Sequence, residues 1–427
     1  MRLAIATSIA LGATASLAGG VNVVRSEDGN RCTVTAEGPK KDDVPNILKA
    51  FAECGNGGTV VFPAEQSYWI ATRLNPRVHN IKIEWKGQWT LSDDLAYWRK
   101  NSYPVEFQNH AAGVVFSGDG ISINGYGTGG IHGNGEAWYN AEEAHTKPGR
   151  PMPFVFWNVS SVVVRNFFVK QPPLWAVNIM NGTDMVFDNI YVNATATRAP
   201  WGKNWVQNTD GFDTMDAKNI RLHNFVYQGG DDCIAIKPRS CNIEVRNVTC
   251  RGGNGIAIGS LGQYLEDSSV ENVVIRDVKI IRYNEDMHNS AYIKTWIGGQ
   301  ASQKGYESAG KPRGGGWGIV RNLTFLNFDV EDADGGPAIT QDNGNNGSFS
   351  GTSKLEISNI RFENFTGYLH GRGTTASVSC SKAKPCRDIV FKNINLRPSK
   401  GDTKLGTAKC SNVPSGAVKG LTGSGCG

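Results

Sequence analysis

Asp210, Asp231, Asp232 and Asn254 recur at one interval along the middle of this chain. They lie in Asn208-Thr209-Asp210-Gly211, Gly230-Asp231-Asp232-Cys233 and Gly253-Asn254-Gly255, with 22 residues from Asp210 to Asp232 and 22 more to Asn254. If one coil of the chain takes about that many residues, these side chains stack on neighbouring coils, roughly 4.8 Å apart. Carboxylates held that close raise at least one proton affinity among them. The result is a protonated acid beside ionised bases, the arrangement that hydrolysis of a glycosidic bond uses. Adjacent residues on a regular strand point to opposite faces. For Asp231 and Asp232 to share a cleft, the backbone at Gly229-Gly230-Asp231-Asp232 must bulge, which glycines permit. The competing reading is solvated turn aspartates or a calcium site. Asn254 can neither carry charge nor move a proton.

A second group lies further on. Lys294, in Ala291-Tyr292-Ile293-Lys294-Thr295-Trp296, is 40 residues past Asn254, and Tyr292 shares its face if this is a strand. A lysine at a cleft would pair with a sugar carboxylate, with Tyr292 and Trp296 stacking on sugar rings; the plainer reading is a snorkelling surface lysine above core aromatics. Gly259-Ser260-Leu261-Gly262-Gln263-Tyr264 reads as a turn that lets a ligand approach the backbone, with Gln263 and Tyr264 as subsite contacts. Arg282 and His288, in the connection before Lys294, are candidates for the cleft wall, although plain loop residues fit as well. No Gly-x-Ser-x-Gly, P-loop or dinucleotide fingerprint competes.

The elements that must position these residues are short and repetitive. Val162-Val163-Val164-Arg165-Asn166-Phe167, Met185-Val186-Phe187-Asp188-Asn189-Ile190 and Ile220-Arg221-Leu222-His223-Asn224-Phe225 share one alternating pattern. The pattern returns around Asn247, Asp277, Asn327, Asn364 and Asn393, with steps of 23 to 50 residues. Alternation at period 2 means half-buried strands, and recurrence at this length means a solenoid. The expectation is an all-β chain, a right-handed parallel β-helix, in which bare coils take the shortest step and longer steps carry loops. Helical patterning is clear only around Val44–Cys54, where Asp43 can cap and Pro45 sits early. That helix would close one end of the solenoid against edge pairing.

Arg2, the apolar run Leu3–Leu17 and small residues around Ala18 read as a secretory signal over 1–18, followed by one domain over 19–427. No later stretch reaches the roughly 20 apolar residues of a membrane span. Nine cysteines fit an oxidising compartment. Sequence order suggests Cys32–Cys54, Cys233–Cys250, Cys380–Cys386 and Cys410–Cys426, leaving Cys241 unpaired, though order alone does not prove connectivity. No CxxC pair or His-flanked cluster suggests zinc, so no metal is expected. Sequons begin at Asn158, Asn181, Asn193, Asn247, Asn322, Asn346 and Asn364; they are glycosylation candidates, some of which would instead be turn or ladder residues. A net charge of +5 without a dense basic block allows a polyanion-binding surface and does not suggest nucleic acid.

With these motifs in order, the chain resembles glycoside hydrolase family 28, the polygalacturonases and their relatives that cut pectin. The likeness rests on Asn208-Thr209-Asp210-Gly211, Gly230-Asp231-Asp232-Cys233, and Gly253-x-Gly255 before Ile258-Gly259-Ser260-Leu261-Gly262. It implies a parallel β-helix and inverting hydrolysis without a cofactor. Asp231 would protonate the leaving oxygen, and Asp210 and Asp232 would activate water, with carboxyl groups separated by roughly 6.5–9.5 Å to admit it. Cys233–Cys250 matches a bridge that such enzymes place beside the site. The chain departs from polygalacturonases at two places: Asn254 replaces a His, and Tyr292-Ile293-Lys294 replaces Arg-Ile-Lys. Both losses remove a cation, and Asn289–Trp296 is most similar to the fungal exo-acting branch. The expectation is a secreted, monomeric exo-hydrolase that takes terminal rhamnose or galacturonate from rhamnogalacturonan-type chains. An exo-polygalacturonase is the alternative; a calcium-dependent pectin lyase and a non-catalytic pectin-binding protein are the remaining readings.

Overall fold

The computed structural model describes residues 22–371 and 374–426. The expected signal at 1–18 therefore lies outside the described residues. Each alternating repeat forms a strand, and equivalent strands pair in parallel. Val162, Val164 and Phe167 lie in register with Met185, Phe187 and Ile190, and these with Ile220, Leu222 and Phe225. The apolar half of every repeat thus joins an inward column while the polar half faces out, which is why period 2 was readable. The columns fill the solenoid with stacked rings such as Phe325–Phe362 at 4.7 Å and Phe328–Phe365 at 4.4 Å. The architecture is the expected right-handed parallel β-helix.

Asparagines make the corners. Asn166, Asn189, Asn224, Asn247, Asn327, Asn364 and Asn393 all have φ between 52° and 59°, a conformation that Asn tolerates better than most residues. Each Nδ2 donates to a carboxamide or carboxylate oxygen one coil earlier, as in Asn247 to Asn224 (2.6 Å) and Asn364 to Asn327 (2.9 Å). A second set of ladder bonds joins Asn181 to Asn158, and runs from Asp184 through Asn219, Asn242, Asn272, Asn322 and Asn359. Among the sequons, Asn181, Asn247, Asn322 and Asn364 spend an amide hydrogen in these ladders. A glycan would compete with the stacking there. Asn158 enters its ladder as an acceptor, Asn193 bonds Tyr191 and Thr195, and Asn346 is exposed.

Helix α1 (Val44–Cys54) packs Val44, Ile47, Ala50, Phe51 and Cys54 onto the first coils. Its expected cap is different in detail. Asp43 makes no side-chain cap bond; its carboxylate accepts from the backbone N–H of Glu37 and of Trp69, both at 2.7 Å. The fully buried Asp43 thus ties helix to solenoid instead of closing the helix terminus. Two helices escape sequence patterning, α2 (Leu95–Asn101) and α3 (Gly135–Glu142), each too short to show a periodic apolar stripe. They flank a small sheet of Tyr103–Val105, His110–Ala112 and Pro151–Met152 that stands outside the solenoid. All four expected disulfides are present and Cys241 is free. No helix among the described residues is long and apolar enough to cross a membrane.

Candidate active site

Asp210 sits just before the strand Phe212–Gln228, and Asp232 opens the strand Asp232–Ile236 one coil later. Phe212 pairs with Ile234, a step of 22, and Ile234 pairs with Ile256, again 22; yet Asp232 pairs with Gly255, a step of 23. The bulge required by the adjacent aspartates is this register shift. It also corrects the even interval: Asn254 lies over Asp231, not over Asp232. Asn254 donates from Nδ2 to Asp231 Oδ1 at 2.9 Å. Asn208, one coil below, donates from its backbone N–H at 2.9 Å and from Nδ2 at 3.2 Å to Asp231 Oδ2. The residue that replaces the expected His therefore holds a carboxylate. One oxygen from each of Asp210, Asp231 and Asp232 lies within 4.8 Å of the others.

Asp232 is held from two coils away. The strand Ala291–Trp296 presents Tyr292 and Lys294 on one face, as expected, but both turn toward Asp232. Tyr292 donates its hydroxyl to Asp232 Oδ1 at 2.5 Å, and Lys294 donates to Oδ2 at 2.9 Å and to the Tyr292 hydroxyl at 2.9 Å. Reaching across a whole coil requires small residues between, and Ala235 and Ala257 pack against Tyr292 in the same row. Tyr292 is buried, and Trp296 is only 5% exposed beneath the Arg313 guanidinium, so neither ring lies open as a sugar-stacking platform.

Asp210 has a neighbour that sequence reasoning missed. Lys237 is buried at 3.4 Å from Asp210 and 3.0 Å from Asp213, with its ammonium 4.0 Å above the Trp175 ring. The available signal was a single charged residue closing the apolar run Cys233-Ile234-Ala235-Ile236. Burial opposes the charge on Lys237, but Asp213 and Asp210 outweigh it and hold its pKa above the ordinary value. Burial and then the charge of Asp213 push Asp210 well up, and burial lifts Asp213 to about 6 despite Lys237. Burial and then Asp232 raise Asp231 to about 6, against the donors from Asn208 and the pull of Lys294. Two lysines thus neutralise oxygens of Asp210 and Asp232 that a cation would otherwise need, so this donor set fits a proton-transfer cluster better than a metal cage.

The expected separation of roughly 6.5–9.5 Å between carboxyl groups is not found. The nearest oxygens of Asp210, Asp231 and Asp232 lie within 4.8 Å of one another, with Asp231 and Asp232 turned to the same side of the bulge and Asp210 one coil away.

The walls come from the other candidates. Gln263 is buried and accepts from Gln108 Nε2 at 2.9 Å, while the Tyr264 hydroxyl accepts from the Gln108 backbone N–H at 2.9 Å. Both hold a roof made by the 107–109 turn, rather than standing free beside the strands. On the opposite side His288 pairs with Asp286 at 2.7 Å and Arg282 with Asp334 at 2.6 Å. Asp286 Oδ2 accepts from Asn204 Nδ2 at 2.7 Å, and that same nitrogen donates to the Gly230 carbonyl, so this wall buttresses the bulge.

Comparisons with known proteins agree with this geometry. Residues 60–419 match the model of glycosyl hydrolases family 28. The chain is 65% identical over 395 residues to an Aspergillus niger protein assigned by name as galacturan 1,4-alpha-galacturonidase C, covering 92% of this chain and 93% of that one. It is 34% identical over 412 residues to an exopolygalacturonase of Cochliobolus carbonum, covering 93% and 88%. Among solved structures, the endo-xylogalacturonan hydrolase of Aspergillus tubingensis superposes with a TM-score of 0.78 at 26% identity, covering 93% of this chain and 100% of that one. A fold, a carboxylate cluster and a match across most of the chain converge on one conclusion: this protein belongs to family 28 of the glycosyl hydrolases.

Proposed function

We propose that the protein is an exo-acting galacturonan hydrolase, a galacturan 1,4-α-galacturonidase, which removes galacturonate from a chain end. The observation that carries the chemistry is the convergence of Asp210, Asp231 and Asp232 with one oxygen each inside 4.8 Å. In this reading Asp231, whose proton affinity burial raises into the working range, donates its proton to the glycosidic oxygen as the C1–O bond breaks. Water attacks C1 and gives its proton to the Asp210/Asp232 pair. Tyr292 and Lys294 hold Asp232, and Asn208 and Asn254 aim Asp231. Because Asp210, Asp213 and Lys237 interact strongly, their protons belong to the group and not to one residue. Inversion rests on the family resemblance; the compact spacing does not argue for it.

Of the two exo readings, the names of the similar fungal proteins favour galacturonate over rhamnose as the released sugar. The rhamnose reading rested on two lost cations, and Asn254 has a structural employment that does not depend on substrate charge. The 107–109 turn, tied to Gln263 and Tyr264 just past the Gly255–Leu261 strand, is the element that would block extension of the substrate chain in this reading. Secretion as a monomer, with residues 19–427 as one catalytic domain, completes the proposal. Product analysis on galacturonate-ended and rhamnose-ended pectic oligomers tests it. Free galacturonate from the first set is expected; rhamnose from the second, with nothing from the first, would sink it.

A further inference from the structure

Three Lys or Arg side chains are buried among the described residues: Arg150, Lys237 and Arg313. Burying a cation is costly unless an anion meets it. Arg150 meets Glu142 at 2.7 Å, and Lys237 meets Asp210 and Asp213. Arg313 is 7% exposed and makes no ion pair with a carboxylate among the described residues. Its Nε is sealed without a hydrogen-bond partner. Its guanidinium lies 4.8 Å from the ring centre of Trp296, two residues beyond Lys294 on the site strand. The backbone around it is pinned to the roof, since the Gly314 N–H donates to the Gln263 carbonyl at 2.7 Å.

The Tyr264 hydroxyl also stands within hydrogen-bonding reach of the guanidinium, and further buried polar atoms nearby have no partner. Tyr306, in the same loop, has a sealed hydroxyl with no partner, and so do both ring nitrogens of His110. His110 stands 5.7 Å from the Tyr306 ring and 4.3 Å from Trp175, which carries Lys237 on its face. A continuous row of contacts therefore runs from the carboxylate cluster to this loop. Burial, with the charges of Lys237 and Arg313, takes His110 down to about 3, so it stays neutral and adds no competing charge.

Resting on the galacturonan reading above, we infer that Arg313 receives the carboxylate of the terminal galacturonate, with the Tyr306 hydroxyl as a second donor, and so selects an acidic chain end. This places the missing cation in a loop and not on the strand where Tyr292 stands.

Two readouts keep the inference apart from the function. Calorimetric titration with D-galacturonate and with D-galactose reads recognition; turnover of digalacturonate reads function. Arg313→Met should weaken galacturonate binding about 100-fold, the scale of an unmatched buried charge, and leave galactose binding unchanged. Arg313→Lys should restore part of the loss. An unchanged galacturonate-to-galactose ratio in Arg313→Met overturns the inference, even if overall affinity or melting temperature falls. If Arg313→Met does not fold, the same ratio in Arg313→Lys and Tyr306→Phe decides: an unchanged ratio in both overturns the inference. Acid binding that depends on Arg313 in a wild-type protein without digalacturonate turnover would overturn the function and keep the inference; turnover with no dependence on Arg313 would do the reverse.

Discussion

Asp231 carries the most weight of any single residue in this account, and its environment is built to conflict. Four N–H groups point at its carboxylate, from Asn208 twice, Asn254 and Asp232, and these favour the charged form. Burial and Asp232 favour the neutral form and prevail. Asp231→Asn should lower kcat by about 100- to 10,000-fold, the usual contribution of general acid catalysis, while retaining oligogalacturonate binding. The same substitution should alter stability with a defined sign. The folded protein holds the Asp231 proton up to about 6, above the ordinary 3.8, so its contribution is full below about 3.8 and is lost as pH rises through 6. Asp231→Asn should therefore melt higher than wild type at pH 7, with little advantage at pH 3.5; a lower melting temperature at pH 7 would contradict the assignment. Activity should fall as pH rises past about 6, since the acid must be protonated. Lys294 depresses the Asp231 pKa, so Lys294→Met should move that alkaline limb upward, read from a kcat profile.

The bulge is the element on which this chemistry depends, and it depends in turn on Gly253. Gly253 has φ +76°, and a Cβ there would stand 2.0 Å from the Asp231 carbonyl oxygen. Gly253→Ala should displace Asp231 and cost about 100-fold in kcat, the scale of a 1 Å misplacement, with a much smaller change in substrate-chain affinity. Equal losses in binding and turnover would show that the bulge is not specifically aligning the acid. At this scale the sequence was readable where neighbours are one coil apart. The alternation around Val162, Met185 and Ile220 showed the strands, and the interval between Asp210 and Asp232 showed the stack. It misled by one residue at Asn254, because a register shift leaves no mark in spacing: 22 and 23 both occur in the same coil. Asp43 stands at the N-cap position as expected but makes no side-chain cap bond, because a residue at the start of a helix can spend its carboxylate on distant backbone, here Trp69.

At the scale of the whole molecule, the solenoid supplies a rigid row of strands and the loops supply the ends of the cleft. Gln108 reaches Tyr264 across 156 residues, and Asn109 reaches Tyr306 across 197. No periodicity relates such partners, which is why the roof, with Arg313 inside it, was invisible in the sequence while the floor was not. Helices α2 and α3 were missed for a related reason, since each is stabilised by contacts to the solenoid and by pairs such as Arg150–Glu142 rather than by its own pattern. Under the proposed exo action, the chain is cut from one terminus inward. The measurement that tests this most directly is the first product from hexagalacturonate labelled at its reducing end. The account predicts labelled pentamer and unlabelled galacturonate, with no shorter labelled species in the first turnovers. Labelled dimer, trimer or tetramer appearing at the same time as the pentamer would contradict it.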